Sequence, residues 1–374
     1  MKTIIQVSTL QEALGNVTRA LAARSAKPIL EGVMIESGKE ENTLSLTCSD
    51  GSLSIQSVIP AEIMEGGQVV LPGRFFFEAA RKMTGGELKL TANREGKAKL
   101  ENWRMVSNIT GMDPYEYPEM AEVSAASTMI ALPQVKFKDM INKVAFSIAT
   151  DENRKILTGC LLEVTADEAR LVALDGFRLA LQKYEQSFSL PAGKEKIRVV
   201  IPGRVMNELS RLLSDTEDPC VMEFDSSRIT ITFNNTRINS VLLAGEFIDY
   251  ARILPAEFKT EVLIRREELL QAIDQASLYA REGKNNLIRI KIQEKQSVLS
   301  ANSEIANVSV ELDLSLTGDP LDIAFNAKYL SDAVRSITEE EIVMHFNSPI
   351  SPCVISAKEG NQYLYLILPV RVSQ

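Results

Sequence analysis

Two periodicities alternate along the chain. Apolar residues at helical spacing predict helices over Ser8–Lys27, Pro72–Met83, Leu132–Ala149, Pro202–Leu213, Arg265–Arg281 and Asn326–Ile337. Between them, strict alternation of apolar and polar residues predicts strands with one buried face, as in RITITFNN (Arg228–Asn235) and YLYLILPV (Tyr363–Val370). The order helix, several strands, helix, further strands recurs three times.

The recurrence extends to short blocks. VVLPGR (Val69–Arg74) returns as VVIPGR (Val199–Arg204), each ending an apolar run and opening a helix. Upstream, Asp50-Gly51 answers Asp175-Gly176, and Ile-Leu-x-Gly at Ile29–Gly32 answers Ile156–Gly159. A third, diverged copy runs through VLIRREELLQAIDQASLYA, LSANSEIANVSVEL and DIAFNAKYLSDAVRSI, with Phe325-Asn326-Ala327-Lys328 where the others have Leu-Pro-Gly-Arg. Insertions absorbed in loops account for the drifting offsets. The pattern predicts three tandem α+β units over residues 1–125, 126–255 and 256–374, each of ordinary domain size. In the repeated hexamer Pro starts a helix at a point where its missing N–H costs nothing, and Gly relaxes the strand-to-helix turn. Arg74, Arg204 and Lys328 then fall on the first exposed turn of the helix.

Charge sharpens this. The chain carries −9, which by itself argues against a protein that grips nucleic acid by bulk charge. The six predicted helices hold 16 basic and 8 acidic residues, a net +8 that leaves the remainder at −17. If the helices share a face, that face is a positive track on an acidic body. Basic residues are also good helix formers, but so is Glu, and Glu is not enriched to match.

Composition is that of a folded globular chain, with no apolar run of the ~18 residues a membrane helix needs. The N-terminus reads as part of the fold, and the scattered Cys48, Cys160, Cys220 and Cys353 read as buried reduced thiols, so a cytoplasmic location is expected. HExxH, GxSxG, GxGxxG, the phosphate-binding P-loop and CxxC are all missing from the sequence. An enzyme reading rests on Asp175 or the sole histidine, His345; a strand turn and a packed imidazole explain both more simply. A binding protein without catalytic residues, cofactor or metal is the expectation.

The blocks KPILEGV, NRKILTG, ALDGFRLAL, VVIPGR, GEFIDYARILP, ASLYAREGKNN, FNAKYL and ILPVR, spread from Lys27 to Arg371, resemble those of the bacterial DNA polymerase III beta subunit, the sliding-clamp family, in the family's order. The resemblance implies an α+β chain of three clamp domains, two helices on antiparallel sheets in each, closed into a ring as a head-to-tail homodimer. It implies a processivity factor that encircles double-stranded DNA, independent of its sequence, with helices lining the hole. It also implies a pocket that docks peptides of the replicative DNA polymerase, the clamp loader and repair proteins, with no membrane partner. A specialised or inhibitor-resistant duplicate of the clamp is the alternative within the family.

Residues follow by position. Arg24, Arg74, Asp151, Lys155 and Ile156 match DNA-contact positions, joined by Arg204 and Lys328 from the repeat; some members have Gln and two Tyr where this chain has Asp151, Lys155 and Ile156. The peptide pocket would comprise Arg154, Leu157, Leu174, Gly176, Phe177, Arg178, Leu179, Ile248, Arg252, Ile253, Asn326, Tyr329, Ile350, Pro352, Leu368, Pro369, Val370 and Arg371. Its rim would be Arg154, Arg178, Arg252 and Arg371. Phe177, Ile248 and Val370 stand where the family commonly has His, Pro and Met. The dimer seam would bring Arg104, Val106 and Asn108 against Leu278 and Tyr279, Asn108 replacing an apolar residue of some members.

Overall fold

The computed structural model describes residues 1–38, 42–93, 95–124, 128–283 and 286–371. The expected boundary between residues 125 and 126 lies outside them, as do two residues of the ASLYAREGKNN block. The first copy runs β1 (Lys2–Gln6), α1 (Val7–Val17), β2 (Gly32–Ser37), β3 (Thr43–Ser49), β4 (Leu53–Pro60), β5 (Glu62–Glu65), β6 (Gln68–Pro72), α2 (Gly73–Arg81), β7 (Glu87–Ala92), β8 (Lys97–Asn102) and β9 (Met105–Thr110). The second runs β10 (Thr128–Pro133), α3 (Gln134–Val144), β11 (Gly159–Val164), β12 (Glu168–Leu174), β13 (Arg178–Glu185), β14 (Ile197–Pro202), α4 (Gly203–Leu212), β15 (Pro219–Phe224), β16 (Arg228–Phe233) and β17 (Thr236–Val241). The third runs β18 (Thr260–Arg265), α5 (Arg266–Arg281), β19 (Leu287–Ile292), β20 (Ser297–Asn302), β21 (Asn307–Leu312), β22 (Leu314–Gly318), β23 (Leu321–Asn326), α6 (Ala327–Ser336), β24 (Glu341–Phe346), β25 (Cys353–Ala357) and β26 (Tyr363–Ile367).

Each copy contributes to two sheets. One half-sheet has the order β4-β3-β2-β6, repeated as β13-β12-β11-β14 and β21-β20-β19-β23. The other has the order β1-β7-β8-β9, repeated as β10-β15-β16-β17 and β18-β24-β25-β26. The short β5 and β22 add edges to β1 and β18. Two compact units result. In the first, residues 1–137 with 211–242, β17 pairs with β4 and closes an eight-stranded sheet. In the second, residues 138–210 with 243–374, β26 pairs with β13 and closes a nine-stranded sheet. Sheets of five and four strands remain, ending in β9 and β21.

The cores follow from the two periodicities. Leu10, Leu14 and Val17 of α1 are fully buried on one stripe, as are Leu269, Ile273 and Ala276 of α5. A leucine buried this way contributes about 2 kcal/mol of transfer free energy. Strand β4 alternates, with Leu53, Ile55 and Ile59 inward. All four cysteines are buried free thiols.

Three expectations need correction. The helix predicted over Ser8–Lys27 stops at Val17, where the Thr18 hydroxyl donates to the Leu14 carbonyl at 2.7 Å. A single 3-10 turn follows, and Leu21 is extended. Trimming all six helices to their observed limits leaves 11 basic and 8 acidic residues, so the net falls from +8 to +3. The lost cations, Arg19, Arg24, Lys27, Lys82 and Arg265, flank the helices rather than sit in them. Finally, neither Gly73 nor Gly203 adopts positive φ. Gly73 is required by contact: a Cβ there would come 2.6 Å from the Leu21 side chain. At Gly203 a Cβ would come 2.7 Å from the Thr158 carbonyl oxygen.

Candidate functional site

The Asp-Gly pairs are strand turns. Asp50 and Asp175 accept backbone N–H bonds from the residues two and three ahead, at 2.9–3.0 Å, and Gly51 and Gly176 hold φ of 95° and 94°. Ser303 occupies the same turn in the third copy, its N–H bonded to the Ala306 carbonyl at 2.9 Å. Asp175 is thus committed to the backbone and to Arg178. His345 is packed as well, stacked on Phe258 and hydrogen-bonded to the Ser356 hydroxyl at 3.1 Å.

Cations gather where a loop meets the second helix of the first two copies. In the first unit Arg24 and Arg74 are both exposed, and Arg74 donates to the Ala23 carbonyl at 3.4 Å, which sets the two guanidinium groups on one loop–helix junction. In the second unit the Thr158 carbonyl abuts Gly203, so the 151–158 loop lies against the turn that presents Arg204. Lys155 is exposed; Ile156 is half-buried against the core. Asp151 caps this segment by accepting from the Asn153 N–H, which holds its carboxyl below the usual range. Lys328 is exposed, 3.8 Å from Asp332. Its helix is capped by Asn326, whose side chain takes the N–H groups of Lys328 and Tyr329.

The expected pocket residues all fall in the second unit, some buried in its core and some exposed at its surface. Leu157, Leu174 and Leu179 are buried in one cluster with Phe247, Tyr250, Val354 and Leu366. Phe177, Ile248, Ile253, Ile350 and Leu368 are exposed, an unusual density of large apolar side chains at a surface. Phe177 stacks on Tyr329 with ring centres 5.7 Å apart, and its carbonyl accepts the Leu368 N–H at 2.8 Å. The Val370 N–H reaches the Ala324 carbonyl at 2.8 Å, which ties Pro369 and Val370 to β23, beside Asn326. Arg154, Arg252 and Arg371 are exposed, and Arg154 lies 3.9 Å from the Cβ position of Gly176. Pro352 is half-buried.

Arg178 departs from expectation. It is 7% exposed and no part of a rim. Its guanidinium bonds Asp175 at 3.0 Å and Asp332 at 2.7 Å, and lies between the rings of Tyr329 and Phe146 at 4.7 and 5.2 Å. Glu163 and Tyr250 are brought together by the fold alone, the Tyr250 phenol donating to the Glu163 carboxylate at 2.8 Å. The available signal was Tyr250 inside the GEFIDYARILP block.

The seam candidates lie at an open strand edge and on a helix face. Val106 is 59% exposed on β9, the free edge of the five-stranded sheet, with Arg104 and Asn108 exposed beside it. Arg104 covers the ring of the exposed Trp103 at 4.8 Å. Leu278 is 65% exposed on α5, and Tyr279 is half-buried.

Three repeats that complete one another's half-sheets, with two half-sheets left open, define a clamp-type fold. The sequence matches the N-terminal, central and C-terminal domains of the DNA polymerase III beta subunit over residues 1–121, 131–249 and 251–371. It is 33% identical over 368 residues to the beta sliding clamps of Staphylococcus epidermidis and Staphylococcus aureus, covering 96% of each chain. The structure superposes on the Bacillus subtilis DNA polymerase sliding clamp with a TM-score of 0.94, 31% identity and full coverage of both chains. A beta subunit from Eubacterium rectale gives 0.93 at 30% identity, again over both full chains. The chain belongs to the DNA polymerase III beta subunit family.

Proposed function

We propose that two copies of this chain close head to tail into a ring around duplex DNA and hold the replicative polymerase on its template. The ring acts by enclosure and not by catalysis, as a cytoplasmic replication factor. One observation carries the reading. Within the chain, the last strand of one half-sheet always pairs with the first strand of another copy's half-sheet, β17 with β4 and β26 with β13. By the same rule β9 pairs with β21, and those are the ends of the five- and four-stranded sheets. Joined across two copies they make a nine-stranded sheet like the one inside the second unit. Such a heterologous junction either closes or propagates, and two copies with two junctions close. Val106, Leu278 and Tyr279 are the apolar part of this seam, Arg104 and Asn108 its polar part.

The domains are placed at 1–125, 126–255 and 256–374. Arg24, Arg74, Lys155, Arg204 and Lys328 face phosphates without reading bases, with Asp151 and Ile156 shaping the loop. The pocket from Arg154 to Arg371 receives an extended, partly apolar peptide from the polymerase, the clamp loader or a repair protein. Leu157, Leu174 and Leu179 form its floor, and the exposed apolar residues take the peptide's anchors.

The test loads the protein onto nicked circular DNA with a clamp loader, then linearises half the sample. Retention on the circle with loss from the linear form is expected, together with a solution mass of two chains. Equal retention on both forms, falling steeply with salt as phosphate contacts alone would, removes the topological reading.

A further inference from the structure

The segment between β17 and β18 supplies Ile248, Arg252 and Ile253 to the proposed pocket, yet it belongs to no sheet. It has one 3-10 turn, Tyr250–Arg252, and its outward side chains are exposed. Among the described residues, Arg252 makes only a local ion pair with Asp249, at 2.9 Å. What fixes such a segment decides whether one wall of the pocket is preformed or must be ordered on binding.

Its inward residues hold it, with Leu243 and Leu254 packed partly buried against the same core cluster. Phe247 and Tyr250 are buried in the cluster that contains the pocket floor residues Leu157, Leu174 and Leu179. Tyr250 reaches further. Its hydroxyl donates to Glu163 Oε1 at 2.8 Å and accepts from the Arg170 guanidinium at 3.3 Å. Glu163 is 5% exposed on β11, and register places it opposite Arg170 of β12 and Arg198 of β14. Arg198 and Arg170 lie 3.2 and 3.6 Å from the carboxylate. Three strands thus build a charged socket around the tyrosine hydroxyl, with Lys196 4.0 Å from Glu163 and Glu168 paired with Arg170 at its margin. A buried carboxylate flanked by two guanidinium groups is rigid, so the hydroxyl is held in direction as well as distance.

We propose that Tyr250 is a positioning residue for peptide recognition: the Glu163–Arg170–Arg198 socket fixes its hydroxyl and so presets the wall formed by Ile248, Arg252 and Ile253. The inference rests on the pocket reading above. Its physical content is a population: peptide affinity falls by the fraction of molecules in which the wall is out of place.

The experiment measures binding of a fluorescein-labelled clamp-binding peptide from the partner polymerase to the intact dimer. Tyr250→Phe keeps the ring and loses the hydroxyl, and about tenfold weaker binding is expected, the size of one charge-assisted hydrogen bond. Glu163→Ala gives the same loss, and the double variant is no weaker than either single one because both break one unit. Glu163→Gln keeps an acceptor and recovers part of the affinity. Hydrogen exchange over residues 247–254 accelerates in the weakened variants, while solution mass and retention on circular DNA stay at wild-type values. A brace with no bearing on recognition would leave affinity unchanged, and wild-type affinity in both Tyr250→Phe and Glu163→Ala overturns the proposal. Leu368→Ala separates the two ideas: if it too binds as wild type, the pocket itself is misplaced.

Discussion

Arg178 Nη1 and Asp332 Oδ2 meet at 2.7 Å, joining the start of β13 to helix α6. Because Asp175 takes the other side of the same guanidinium, Arg178 ties the second copy to the third through one buried cation. Removing it leaves Asp332 without that partner and two aromatic rings without their filler. Arg178→Ala should destabilise the second unit by about 3 kcal/mol, the lower end for breaking a buried ion pair, since Asp332 is partly solvated. Arg178→Lys should recover little, because a single ammonium cannot bridge both carboxylates and lie flat between two rings. Urea unfolding of the three proteins checks this; a lysine variant as stable as wild type would show that charge alone matters.

The two glycines of the repeated hexamer should differ. At Gly203 a new Cβ meets a backbone oxygen at 2.7 Å and Ile148 at 2.8 Å, and a carbonyl in a folded loop has little room to yield. At Gly73 the close atoms are the two ends of the Leu21 side chain, with the Glu31 carbonyl at 3.1 Å. Gly203→Ala should therefore cost about 2–3 kcal/mol and Gly73→Ala about 1. The third copy supplies a control, because Ala327 already fills this position and is fully buried. Thermal midpoints of the two variants, ranked against each other, test the contact explanation.

His345 gives stability a pH dependence near neutrality. Burial holds its imidazole below the ordinary histidine range, and Glu261 at 3.6 Å offsets only part of that. The folded state then binds fewer protons than the unfolded state over the interval between the two pKa values. Stability is fully present above the ordinary histidine value of about 6.5 and is lost as pH falls below it. His345→Asn should flatten the dependence of the unfolding midpoint between pH 7 and the onset of carboxylate titration. Identical slopes in both proteins would place the effect elsewhere.

Helix and strand positions were legible because they depend on local periodicity, and the repeat because loops absorbed its insertions. The first helix was overread for a tertiary reason: Thr18-Arg-Ala-Leu-Ala-Ala reads as helix by propensity, but Leu21 turns extended and covers Gly73. The charge segregation was inflated by the same error, since Arg24 and Lys27 lie beyond the helix end. Arg178 was misread because a basic residue in a surface turn looks like a rim, and its second carboxylate is 154 residues away. The Glu163 socket was invisible for a similar reason. It draws single residues from three strands and a loop, and no spacing in the sequence brings them together.

The seam offers the sharpest mutational test of the ring. Val106 and Leu278 are more than half exposed in the single chain, on an open strand edge and a helix face. Exposed apolar residues of this kind, next to an unpaired edge, favour association. A carboxylate buried there is costly: Val106 stands opposite Glu101 in the β8–β9 register, and at Leu278 the exposed Arg281, three residues on along α5, offsets only part of the desolvation. Val106→Asp and Leu278→Asp should each weaken the dimer by about 30-fold or more, the scale of an interface hot spot. Light scattering across a dilution series should show single chains that still bind the polymerase peptide, because the residues of the proposed pocket lie wholly within one unit. The same variants should slip from circular DNA as readily as from linear DNA. A double variant that remained dimeric would place the seam elsewhere and, with it, the β9–β21 junction.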